Sequence, residues 1–212
     1  MMKSQQEIHD DLASIRNIME KSSKFISLSG LSGILAGIYA LLGAAAALYF
    51  SYNMAIPNYR YGSDYHIIRK APQLLLPLAI VAILVLSASL TTGFILSSRK
   101  AKKHGTTLWT PATYRVIINL AIPLVTGGLV IITQILYGNY EFVAPGCLVF
   151  YGLALIAASP NLYEEIRYLG YSEIILGIIC AFLSGYGLFF WATGFGIFHI
   201  FYGALMFRKY DR

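Results

Sequence analysis

Apolar side chains in this chain come in long unbroken runs, not in the alternating or two-sided patterns of a soluble fold. Leu74 to Leu96 contains no charged residue and exceeds the roughly 18 residues at which an apolar stretch reads as a membrane span. Dividing such runs at their breakers predicts spans near 25–50, 72–97, 113–137, 142–159, 171–190 and 193–208. The last two share one apolar stretch from 171 to 208, too long for a single span of about 20 residues, so a tight helical hairpin broken at Ala192-Thr193-Gly194 is expected. The predicted fold is all-α: a polytopic six-helix transmembrane domain over 25–208, with residues 1–24 before it and a short tail, 209–212, after it.

Polar patterning predicts what flanks the spans. Ser4-Gln5-Gln6-Glu7 has the form of a capping box, whose side chains satisfy the free amides of a helix start. From there Ile8, Leu12, Ile15 and Met19 form one apolar stripe opposite Asp10, Asp11 and Asn17. Residues 1–24 are thus expected to form an amphipathic helix on the cytoplasmic surface, with self-association as the alternative. This mixed polar start also argues against a cleavable signal peptide. Between the first two spans, Tyr52, Tyr59, Tyr61 and Tyr65 read as headgroup-level anchors, and a ligand-binding outer cap is the other reading.

Composition agrees with the pattern: 57% of residues are hydrophobic and 12% charged, against about 25% charged in soluble domains. The net charge of +6 would suggest nucleic acid in a soluble protein, but the basic residues sit beside spans, where they set orientation. Nucleic-acid binding is therefore set aside. With the N-terminus inside, Lys3, Arg16, Lys21, Lys24, Arg99, Lys100, Lys102, Lys103, Arg115, Arg167, Arg208, Lys209 and Arg212 fall on the inner face, leaving Arg60, Arg69 and Lys70 outside. This division predicts both termini in the cytoplasm of a bacterial cell, with the chain multi-pass in the inner membrane. Arg99, Lys100, Lys102 and Lys103 follow directly on the second span and are expected to meet anionic lipid headgroups, each such charge contributing about 1 kcal/mol.

Candidate chemistry is sparse. HExxH, GxSxG and P-loop patterns are absent, and Cys147 and Cys180 lie inside apolar runs as small hydrophobes. No metal or cofactor is expected. Small residues recur at every fourth position in span one (Ser29, Gly33, Gly37) and span five (Gly177, Ala181, Gly185), which lets helix backbones approach closely. Such ridges either close the bundle or join it to a second copy or a membrane partner. In span three, Arg115, Asn119, Thr126, Thr133 and Tyr137 share one face within about 40 degrees. That face is expected to point into the bundle, at a depth shared by Ser87 of span two and His199 of span six. These residues would line a narrow polar path or cavity, with His199 able to titrate near neutral pH. The structural alternative has the hydroxyls bonding their own backbone and His199 making one interhelical hydrogen bond. Glu173 and Arg115 are placed near cytoplasmic span ends, and Glu141 near an outer one.

Ser22 to Gly33, Ile118 to Gly128, Val149 to Leu155 and Glu165 to Gly170 together resemble small polytopic integral membrane proteins of Bacteroidetes. That resemblance implies a multi-pass membrane protein and carries no activity. The hairpin from Ile174 to Arg208 is similar to the paired helices of HdeD-like acid-resistance membrane proteins, without their usual proline. Glu164-Glu165 and Phe195 to His199 resemble pieces of the EExxxR and FxxxH motifs of CPBP-type intramembrane proteases, but Arg167 follows Glu165 by two residues where that family has four. By elimination the expected function is non-catalytic: a lipid- or partner-binding or envelope-stress-related membrane protein. A channel or facilitator lined by span three and His199 is the alternative, ahead of an intramembrane enzyme.

Overall fold

The computed structural model describes residues 29–54, 74–103, 105, 107–183 and 185–211. No strand occurs among them. The chain forms α1 (Gly30–Met54), α2 (Leu75–Lys103), α3 (Pro111–Leu136), α4 (Val143–Ala158) and α5 (Glu164–Phe182). A last rod follows, made of α6 (Gly187–Trp191), a π-helical segment (Ala192–Phe198) and α7 (His199–Tyr210). Five of these six rods are long and apolar enough to cross a membrane. The sixth, α5, differs by charge, carrying Glu164, Glu165, Arg167 and Glu173. The predicted helix at 1–24 and the tyrosines at 59, 61 and 65 lie outside the described residues.

Local chemistry explains where the helices begin and turn. Pro111 supplies the fixed φ of a first helical position, while the Thr110 and Thr113 side chains satisfy each other's backbone amides at the start of α3. At the other end of the molecule Gly185 has φ +98°, a left-handed conformation open to glycine, and it reverses the chain between α5 and α6. The hairpin break is therefore at Gly185, between the end of α5 and the start of α6, not at Ala192-Thr193-Gly194. The latter tripeptide stays helical by widening into a π turn, with the Thr193 hydroxyl donating to the Phe189 carbonyl. This correction shifts the fifth helix toward the N-terminus, from the predicted 171–190 to 164–182. Helix α2 also runs through its basic residues to Lys103, and Lys209 and Tyr210 belong to α7 instead of a tail.

Two close helix pairs build the bundle. Helix α1 crosses α7 and the π segment where Gly33 faces Gly203 and Gly37 faces Gly196; a Cβ on Gly37 would stand 2.6 Å from the Gly196 carbonyl oxygen. Helices α4 and α5 cross at Gly152 and Gly170, where a Cβ on Gly152 would meet the Gly170 carbonyl oxygen at 2.6 Å. In lipid such contacts stabilise through dispersion, because apolar side chains gain nothing by leaving an apolar solvent. Helix α2 packs on α1, and α3 packs on α4. Val116, Leu155, Ala158, Leu162, Ile166 and Leu169 form a buried cluster between α3, α4 and α5, with Phe198 and Tyr202 of the last rod packed against it.

One end of the bundle is basic. The Asp211 carboxylate accepts from Lys100 Nζ at the end of α2, and from the Gly30 amide (2.8 Å) and Ser29 hydroxyl (3.1 Å) at the start of α1. Glu165 of α5 accepts from Lys209 and from the Tyr210 hydroxyl, and Tyr163 stacks on Tyr210 at 4.1 Å. The end of the chain thus fastens α1, α2, α5 and α7 together.

Candidate functional site: a buried Glu-His-Tyr unit

The packing face of α5 reads Ile166, Leu169, Gly170, Glu173, Gly177, Cys180, all buried. Its period is that of an apolar helix stripe, interrupted by one acid midway along the helix. Glu173 has no solvent-exposed surface. Gly194 of the π segment lies directly against it: any Cβ there would collide with Glu173 Oε2 and approach Leu148 Cδ2 to 2.6 Å. Glycine at 194 is what lets the last rod close over a carboxylate. π turns are rare and recur at functional sites.

The π segment also presents the Gly194 carbonyl oxygen to His199 Nδ1 at 3.0 Å. A carbonyl only accepts, so Nδ1 carries the hydrogen in this pair, and Nε2 of the neutral ring is left to accept from the Tyr151 hydroxyl at 2.7 Å. Tyr151 and Phe195 flank the imidazole at ring-centroid distances of 5.4 and 5.9 Å, and Trp191 packs on Phe195 at 5.2 Å. Glu173 Oε1 stands 3.6 Å from His199 Nδ1, beyond hydrogen-bond length. Among the described residues neither oxygen of Glu173 has a hydrogen-bond partner, and neither has the buried Tyr202 hydroxyl. Glu173, Tyr151 and His199 each lie midway along their helical rods. An unsatisfied carboxylate in that position is costly, because an ion taken out of water loses solvation on the order of several kcal/mol.

The sequence-predicted residues divide. His199 is buried and makes the interhelical bond just described. The span-three stripe does not line a path: Arg115, Thr126 and Thr133 are exposed, Asn119 is half-buried, and Tyr137 is 80% exposed. The inward face of α3 is instead Ala112, Thr113, Val116 and Gly127, about a quarter turn away. The reason is steric: Gly127 admits the Phe150 ring, which fixes the rotation of α3 on α4. Thr133 bonds the Val130 carbonyl of its own helix at 2.7 Å, as the structural alternative supposed. Ser87 is exposed on α2, so the stripe, Ser87 and His199 do not form one cavity.

The small-residue ridges divide as well. Ser29, Gly33 and Gly37 meet the last rod, and Gly177 meets Val149 and Leu148. Ala181 is exposed and Gly185 sits in the turn beyond the helix. In the basic cluster Arg99, Lys102 and Lys103 are exposed, whereas Lys100 is committed to Asp211. Burial raises the Asp211 carboxyl, but Lys100, the Gly30 amide and the Ser29 hydroxyl outweigh it and hold the group below its ordinary value. An open apolar groove of about 310 Å³ lies between α3, α4 and α5, lined in part by Gln134, Phe142, Gly146, Phe150 and Phe182. It contains none of the Glu-His-Tyr residues. Glu165 of the protease-like motif is bound to Lys209, away from His199, whose acidic neighbour is Glu173.

Glu173 is the residue that sequence reading misplaced, by setting it near a span end. The signal was available in the stripe from Ile166 to Cys180, which runs unbroken through Glu173 once the helix begins at Glu164. Among the described residues no group of three or more His, Cys, Asp or Glu is placed to hold a metal ion. No protein-family model, no curated protein and no solved structure matches this chain.

Proposed function

We propose that this chain is a non-catalytic, pH-responsive protein of the bacterial inner membrane, in which protonation of Glu173 beside His199 sets the conformation of the helix bundle. In this reading α5 is the sixth span and the basic end faces the cytoplasm, where Arg99, Lys102 and Lys103 meet anionic headgroups. The observation that carries the reading is the Glu173 carboxylate, wholly buried midway along α5, 3.6 Å from an imidazole and without a hydrogen-bond partner. Ionisable groups at such depth mark proton or ion chemistry, because the membrane makes them expensive to keep.

The test is an infrared titration of the purified protein in lipid. A carboxyl C=O band is expected to appear and vanish with pH in the native chain and to be missing from Glu173→Gln, accompanied by a change in tryptophan emission from Trp191 beside the site. Identical spectra for the two proteins across the pH range in which both stay folded would overturn the proposal.

A further inference from the structure

The surroundings of Glu173 are not the same toward the two ends of the bundle. Away from the basic end, Gly194 of the π segment and Leu148 of α4 close over the carboxylate, Gly177 and Cys180 continue its face of α5, and the Thr193 hydroxyl is already bonded to its own helix. Toward the basic end the groups are hydroxyls and a carboxylate. Tyr202 lies one turn beyond His199 on α7, and its hydroxyl is buried within the apolar cluster without a hydrogen-bond partner. Tyr202 packs with Tyr151 against the same buried cluster, and it lies on the stretch of α7 between His199 and Tyr210, whose hydroxyl donates to Glu165 at the basic end. Phenylalanine would pack against the same cluster as well as tyrosine does and would bury no orphan hydroxyl. Packing therefore gives no reason for the oxygen on Tyr202.

We infer that Glu173 exchanges its proton with the basic end alone, along a relay of Tyr202, Tyr151 and His199. This inference rests on the proposal that Glu173 titrates, and adds the route and the side. The titratable groups turned inward on the elements around Glu173 are Tyr151 and Cys147 of α4, His199 and Tyr202 of α7, and Cys180 of α5 itself; Glu164, Arg167, Tyr168 and Tyr171 of α5 and Arg208 of α7 are exposed, Glu165, Lys209 and Tyr210 meet at the basic end, and α6 and the π segment contribute none. One proton enters from Glu165 or Tyr210 and reaches Tyr202 across bridging water, since no side chain among the described residues bonds the Tyr202 hydroxyl directly. The Tyr151 hydroxyl gives its hydrogen to His199 Nε2 and takes another from Tyr202, likewise across a bridging water. The imidazolium so formed releases its Nδ1 hydrogen to Glu173 Oε1 as the 3.6 Å gap closes to hydrogen-bond length. The balance is one proton gained by Glu173 and one lost at the basic end. His199 finishes neutral with its hydrogen on Nε2, and the reverse path returns both.

The experiment uses the full chain in proteoliposomes whose orientation is scored by labelling Lys102→Cys from outside. After a rapid pH change on one side, the Glu173 carboxyl band is followed in time in the native chain and in Tyr202→Phe. The native band should respond only to a change on the face bearing position 102. In Tyr202→Phe the same titration midpoint should be approached more slowly, on the order of a hundredfold, the size of a lost proton-transfer partner. A native rate in Tyr202→Phe, or a response to the opposite face, overturns the relay while leaving the proposed function standing. Absence of any Glu173 band in the native chain overturns both. Tyr202→Phe removes one unbonded oxygen and should fold; Tyr151→Phe, read the same way, gives an independent second measure.

Discussion

Two carboxylates of this chain have opposite circumstances. Asp211 sits at the basic end and takes three donors, from Lys100, Gly30 and Ser29. Glu173 sits midway along α5 and takes none. The first closes the bundle where water and headgroups are near; the second is buried among glycine, leucine and aromatic rings where a methionine would fit. The satisfied acid explains how the helices are held. The unsatisfied one works against stability, and that is why it is the residue to test for function.

The sharpest way to break the contrast is to remove each acid in turn. Asp211→Ala leaves Lys100 half-buried without its carboxylate and the start of α1 without its acceptor, and should lower stability by about 3 kcal/mol, read as a drop in the thermal midpoint in detergent. Acid should reach the same loss gradually. The folded Asp211 carboxyl lies below its unfolded value, so its stabilisation is present above the unfolded value, near pH 4, and disappears as pH falls through the folded one. A thermal midpoint that falls in acid for the native chain but less for Asp211→Asn would show it. Glu173→Met should act in the opposite direction, raising stability by about 1–3 kcal/mol because an unsatisfied polar group is replaced by an apolar one of similar length. If Glu173→Met were as destabilising as Asp211→Ala, Glu173 would be a structural acid and the contrast would fail.

The smallest effect concerns lipid. Changing Arg99, Lys102 and Lys103 to Gln should weaken anionic-lipid retention by about 1 kcal/mol per charge with little change in stability. Lys100→Gln should do the reverse, since Lys100 is tied to Asp211. Native mass spectrometry beside thermal unfolding separates the two, and equal lipid loss from all four changes would place Lys100 with the exposed cations.

Hydropathy alone located helical rods near five of the six predicted places, because a long apolar run needs only its composition to be recognised. It also gathered Arg99, Lys102, Arg115, Arg167 and Arg208 beside helix ends. The register of α5 escaped it. Leu183 to Gly187 is apolar and glycine-rich, so hydropathy runs straight through a turn that depends on the left-handed backbone of Gly185. That error carried Glu173 from the middle of a helix to its end.

Which way a helix faces was decided only by its neighbours. The spacing of Arg115, Asn119, Thr126 and Thr133 correctly describes one face of α3, yet Phe150 packing into Gly127 turned that face outward. The residues that build the central site come from helices far apart in the chain, Tyr151 on α4, Glu173 on α5 and His199 on α7. Their meeting rests on the α4–α5 crossing at Gly152 and Gly170 and on the glycine at 194. Composition and charge order, which act residue by residue, were legible in the sequence. Rotation and contact depend on the mutual fit of surfaces distant in the chain, and were settled by the tertiary structure.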